Sequence, residues 1–417
     1  MQDDFVRNFW RYCSCYEITM NNAIWSAFSI LGAAVNRKVY TKIGDIPIYC
    51  NLYVLLVGPP GSGKSTSRNF AATLFRRACP EIMVGASKQS HGDIIRLMAT
   101  EKCLIKYKDE KGKDQIAHVL ACFINEFKNF ISYDIIGMLS FLTDIYDEPY
   151  LFDASTLSRG GEKVPFPSLS ILACENPDIL TRYIKTSMIS DGFGRRVIIV
   201  LETENAESKP EVVIPDDVQQ LYNFGLVKHL HTIKSIVGEY KHTPESQSFY
   251  NEWYVDNRKK MAAATEPVFQ GYLRSKHTLL LKIAMLSDVA ANATPAFRFT
   301  VPLLTKASAA LEVLEANMPK LFVAAGRNEL ALPQQRIVEL IERNGGEMQE
   351  RVIEKLMGKD LQGNEFLSVI GTLKRIGDIR EVRLKDDKAG RRILMTEVAY
   401  AKATKEGRII VDGQPLR

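Results

Sequence analysis

The chain has 417 residues, 46% hydrophobic and 25% charged, which excludes a disordered or fibrous protein and predicts about two to four packed globular units. The formal net charge of +5 permits a nucleic-acid partner without demanding one. Seven cysteines with no Cys-x-x-Cys pair exclude a disulfide frame or thiolate zinc site and predict buried thiols in a reducing cytoplasm.

Apolar positions at Phe5, Phe9, Trp10, Tyr12 and Tyr16 predict helix over about the first 40 residues. Ala23 to Val35 is too short to span a bilayer, and the acidic start at Asp3-Asp4 is unlike a secretory signal, so no membrane contact is expected. That run reads as a buried helix against a nucleotide domain. Gly44-Asp45-Ile46-Pro47 marks a turn.

Leu52 to Val57 then leads into Gly58-Pro59-Pro60-Gly61-Ser62-Gly63-Lys64-Ser65, a buried strand feeding a phosphate-binding loop, followed by Thr66 and a helix. Glycines let backbone N–H groups close around a triphosphate, and the helix N-terminus adds positive potential. Lys64 is expected to reach the β- and γ-phosphates of ATP, and Ser65 to meet Mg²⁺. Three further buried strands are predicted at Val119–Ile124, Leu169–Cys174 and Val197–Leu201. Alternating with helices, they predict an α/β domain with a parallel sheet and ligands beyond the strands' carboxyl ends.

The polar residues at those ends carry the expected chemistry. Glu126 is the candidate to orient the attacking water, with Asn125 before it where a carboxylate ordinarily assists Mg²⁺. Asn176 is placed to touch the γ-phosphate or the water. Arg195 and Arg196, before the fourth strand, are candidate fingers for a neighbouring copy's nucleotide; an ordinary surface arginine is the alternative for either. His229 and His231 have no ligand-like flanks and read as a helical surface.

From Lys209-Pro210 onward the sequence turns helical, with long amphipathic stretches around 272–284 and 307–321. After Pro333, three short helices (333–343, 350–357, 364–375) precede two strands (379–384, 392–395), the layout of a winged helix. Lys374, Arg375, Arg383, Arg391 and Arg392 are its candidate DNA contacts, expected to give salt-dependent binding; a protein partner is the alternative. No nuclease, primase or metal-cluster constellation stands out.

Together, Gly58 to Ser65, Asn125-Glu126, Leu172-Ala173-Cys174-Glu175-Asn176-Pro177 and Gly194-Arg195-Arg196-Val197 resemble Walker A, Walker B, sensor 1 and arginine finger of AAA+ ATPases. The Leu-Ala-x-x-Asn-Pro form is similar to the MCM-like helicase branch. With Asp191-Gly192 before the arginines, the arrangement resembles phage and prophage AAA+ proteins linked to primase-helicases, over about residues 20 to 320. Asn125 departs from the family's aspartate.

The resemblance implies four parts: a helical segment 1–48, an AAA+ core 49–203, a helical lid 204–330 and a winged helix 331–417. It further implies a homo-oligomeric, hexameric ring, single-stranded or forked DNA as substrate, and a primase or polymerase partner. Arg274 falls where a sensor 2 arginine meets the nucleotide. Ser155 to Lys163 reads as a hairpin that, in MCM-like rings, brings a basic residue to DNA; Arg159 and Lys163 are the candidates, with a solvated turn as the alternative. The expected function is an ATP-driven helicase or translocase, the alternatives a nucleotide-switched initiator or helicase loader and a defence ATPase with a protein partner.

Overall fold

The apolar runs become a sheet. In a computed structural model, residues 4–132, 134–154, 161–177, 180, 192–203, 205–265, 267–318, 331–358, 361, 363–385 and 391–410 are described. They fall into two units, Met1–Ala324 and Ala325–Arg417.

The first unit is α/β. Helices α1 (Phe5–Cys13) and α2 (Met20–Val35) lead into a hairpin of β1 (Val39–Ile43) and β2 (Ile46–Tyr49). Then follow β3 (Tyr53–Val57), α3 (Lys64–Ala78), β4 (Met83–Gly85), α4 (His91–Met98), β5 (Leu104–Lys108) and β6 (Asp114–Ile124). Next come α5 (Phe127–Ile131), α6 (Ile135–Tyr146), β7 (Leu151–Asp153), β8 (Lys163–Pro165), β9 (Pro167–Glu175) and β10 (Val197–Leu201). The central sheet runs β10-β3-β9-β6-β4, all parallel, with β5 antiparallel on β6. Its middle strands are buried along both faces, which is why they read as continuous apolar runs rather than alternating ones.

All four predicted strands of the nucleotide domain are present, within about two residues at each end except at the start of β6. There β6 is longer because its first residues pair with β5, a strand too polar to announce itself. The lead-in departs from the helical expectation. Asn36, at φ 43°, ends α2, and the chain returns as a hairpin about Gly44 (φ 61°). The buried helix predicted around 23–35 is α2, packed so tightly that a Cβ on Gly32 would stand 2.4 Å from the Cys50 carbonyl oxygen. Among the described residues, no helix is long and apolar enough to cross a membrane.

One hydrophobic core runs from Phe5 through the sheet to Met318. The described residues of the lead-in before β3, the central sheet and the helices Pro244–Ala263, Pro267–Ala291 and Val301–Glu315 therefore share it. In the second unit, helices Ala331–Arg343, Glu350–Met357 and Gly363–Ile376 enclose Ile337, Ile353, Phe366 and Leu373. The expected strand pair is Ile379–Leu384 against Ile393–Thr396. Strands Glu347–Gln349 and Ile409–Ile410 flank it, and helix Glu397–Lys405 packs beside it. Strands of two or three residues carry no periodicity, so the sequence was silent on them.

No disulfide joins the seven thiols, and six of them are buried. Burial pushes Cys50, Cys79 and Cys122 up to about 12 and Cys103 and Cys174 to about 11, and holds Cys13 well above its ordinary value. Stability from such groups is full below their unfolded value of 9.0 and is lost as pH climbs through the folded values. Buried Lys38 and Lys282, both pulled down to about 8 by desolvation, act oppositely, favouring the fold increasingly between pH 8 and 10.5. Six thiols outweigh two lysines, so the melting temperature in reducing buffer should fall by roughly 5 °C or more from pH 8.5 to 10.5. A melting temperature flat over that range, followed by circular dichroism, would contradict folded thiol values raised far enough to outweigh the two lysines.

Candidate functional site

The parallel registers bring the polar strand ends to one edge of the sheet. Val57 is opposite Glu175 on one side and Leu201 on the other, so Gly58 follows between Asn176 and Glu202. Ile124 is opposite Ala173, which puts Asn125 level with Cys174. Neighbouring strands lie about 4.8 Å apart, so Asn125-Glu126 stand about 10 Å from the loop strand, with β9 between them.

Residues Gly58 to Ser65 close into a tight loop before α3. Gly61 (φ 86°) and Gly63 (φ 74°) take conformations that L side chains resist. Gly63 is required a second time, since a Cβ there would sit 2.2 Å from the Glu17 carbonyl oxygen. The loop is held from behind by α2: Asn22 Nδ2 donates to the Ser62 carbonyl at 2.9 Å, and Ser67 Oγ donates to the Asn22 carbonyl at 3.0 Å. Asn22 was missed in the sequence, although an amide beside the long apolar run of α2 was the signal for it.

Lys64 opens α3 and is 9% exposed. Its Nζ donates to the Pro59 carbonyl at 2.9 Å, so the ammonium folds over its own loop. Burial lowers its pKa, while the neighbouring Cys174 and Glu175 work against that shift. Ser65 and Thr66 lie in the first turn, and the hydroxyl of Ser65 approaches the Cys174 thiol.

Glu126 precedes α5 and is exposed. Its Oε2 accepts from Asn129 Nδ2 at 2.7 Å and lies 3.5 Å from Lys128 Nζ. Glu175 is a residue that sequence reasoning passed over. It is 3% exposed, and its two oxygens accept from the backbone N–H groups of Lys128 (2.7 Å) and Asn176 (2.9 Å). One buried carboxylate thus ties the turn carrying Glu126 to Asn176.

Asn125 is exposed and is shared with Arg68. Its Oδ1 accepts from Arg68 Nη2 at 3.3 Å, and Arg68 Nη1 reaches the Phe123 carbonyl at 3.4 Å. Mg²⁺ is coordinated by hard oxygen donors, with carboxylates anchoring it. Here the protein offers the Ser65 hydroxyl, an amide already bonded to a guanidinium, and a Glu126 carboxylate bonded to Asn129. Among the described residues, no group of three or more His, Cys, Asp or Glu converges. This donor set does not fit a resident divalent ion.

The two arginines part company. Arg196 donates from Nε and Nη2 to Asp147 Oδ2 at 2.7 Å each and from Nη1 to the Gly192 carbonyl at 3.0 Å. It is fixed within its own subunit. Arg195 makes no side-chain hydrogen bond among the described residues, and its aliphatic part lies against Gly271 on helix Pro267–Ala291. Arg274, one turn further on that helix, is exposed and makes no side-chain hydrogen bond to the loop among the described residues.

Of the basic residues expected to meet DNA, Arg159 lies outside the described residues. The hairpin around it has paired arms, with Asp153 opposite Lys163, and these two form an ion pair at 3.4 Å. In the second unit, Lys374 pairs with Glu381, which also faces Arg392 at 3.5 Å. Arg391 is exposed but engaged. Arg375 and Arg383 are exposed with no ion pair to a described residue. His229 and His231 lie on helix Leu226–Ile233, with His229 edge-on to Phe5.

No known family model matches the chain, and no curated protein matches it either.

Proposed function

We propose that the chain is an ATP-hydrolysing P-loop protein of the AAA+ type, from a phage or mobile element, that acts on DNA as a ring of copies. One observation supports this above the rest: Lys64 and its glycine loop lie at the carboxyl edge of a parallel sheet, flanked by Asn176 and, one strand on, by Glu126. In this reading the loop N–H groups and Lys64 hold the phosphates of ATP. Glu126 takes a proton from water as its oxygen bonds to the γ-phosphorus and the bond to the β–γ bridging oxygen breaks. Asn176 holds that water or the γ-phosphate. Magnesium enters only as the ion that travels with the triphosphate.

Arg195, without a side-chain hydrogen bond or ion pair among the described residues, is the residue to act across a subunit interface, and Arg196 holds the turn that aims it. Arg195→Ala should therefore lower turnover by about 10³-fold with melting unchanged, whereas Arg196→Ala should lower the melting temperature. Equal kinetic and thermal effects of the two would remove the distinction. For DNA, the second unit is read as a winged helix, with Arg375 and Arg383, exposed and without an ion pair to a described residue, as the charges to meet phosphates. The deciding test is ATP turnover by the full chain with and without single-stranded and forked DNA. Stimulation, weakened by salt and by Arg375→Ala with Arg383→Ala, supports the reading; indifference to DNA counts against it.

A second reading is favoured by the Arg68–Asn125 bond and by Glu126 being held on Asn129. A site tied up in this way suits a slow nucleotide switch, such as an initiator or helicase loader, better than a fast motor. A loader binds DNA with ATP but does not displace a strand from a fork by itself.

A further inference from the structure

Arg68 has figured so far only as the partner of Asn125. It lies on α3 one helical turn after Lys64, so both side chains leave the same face of that helix. Its guanidinium spans the end of β6, bonding to the Phe123 carbonyl and to Asn125 Oδ1, and it acts on the Cys174 thiol that Ser65 also meets. Its Nε is buried without an acceptor among the described residues. An aspartate at 125 would have paired with this cation and cancelled it. The amide at 125 bonds to the guanidinium and leaves its charge intact.

No described carboxylate forms an ion pair with Arg68 either. Both oxygens of Glu175 are taken by backbone N–H groups, and Glu126 is shared between Asn129 and Lys128. The place where a metal's protein anchor is expected therefore holds a fixed, permanent positive charge. Such a charge repels a divalent ion and attracts a polyphosphate.

We propose that Arg68 is the second fixed cation of the triphosphate site, so that this chain captures ATP almost independently of divalent metal. The inference rests on the nucleotide reading above and adds to it which group neutralises the phosphates.

Calorimetric titration of the full chain with ATP, in Mg²⁺ and again in EDTA, tests it. The wild type should lose no more than about 5-fold in affinity on metal removal, and Arg68→Gln about 30-fold or more. Arg68→Lys, which keeps the charge, should stay near the wild type. Asn125→Asp, which leaves Arg68 in place but supplies it with an anion, should restore metal dependence even if Arg68→Gln fails to fold. A wild type that binds ATP in Mg²⁺ and loses it in EDTA overturns the inference and leaves the nucleotide reading standing. An unchanged metal ratio in both Arg68→Gln and Asn125→Asp also overturns it. Absence of binding in both buffers overturns the inference and the nucleotide reading together.

Discussion

Replacing Lys64 by alanine should weaken ATP binding by about 10- to 100-fold and abolish measurable turnover, with the melting temperature nearly unchanged. In the free protein its ammonium makes a single hydrogen bond among the described residues, to the Pro59 carbonyl of its own loop. Losing that bond costs the fold little, because a carbonyl in an open loop is readily rehydrated. With a triphosphate present, the same ammonium is the charge nearest the helix start and has no substitute there. Calorimetry and phosphate release measure the two effects. A variant that binds ATP as the wild type does would place the nucleotide elsewhere.

Glu126→Gln separates binding from chemistry. The amide keeps the size of the side chain and can still bond to Asn129, but it cannot take a proton. Turnover should fall by about 10²- to 10⁴-fold while ATP affinity stays within a few-fold of the wild type. Trapped, unhydrolysed ATP in the purified variant would be the visible sign. If turnover persists, the base is another carboxylate, and the buried Glu175 beside Lys64 is the next residue to change.

The strands of the parallel sheet were legible because burial on both faces writes long runs of Val, Ile and Leu, as in Tyr53–Val57 and Val197–Leu201. The glycine loop before α3 was legible because its glycines answer local backbone demands, seen in the positive φ of Gly61 and Gly63. What escaped were residues whose meaning depends on a partner distant in sequence. Asn22 matters through Ser62, Glu175 through the Lys128 and Asn176 amides, and Arg68 through Asn125. The sequence alone treated Arg195 and Arg196 alike. Only Asp147, far upstream, separates them by holding Arg196. The same holds in the second unit, where Glu381 takes up the charges of Lys374 and Arg392 and leaves Arg375 and Arg383 exposed.

The most direct test is a structure of the full chain with a non-hydrolysable ATP analogue. The account predicts a triphosphate enclosed by the Gly61–Ser65 amides, with Lys64 moved off Pro59 onto it and Arg195 of an adjoining copy approaching its far side. An analogue bound away from this loop, or a chain that remains single and empty at saturating nucleotide, would contradict it.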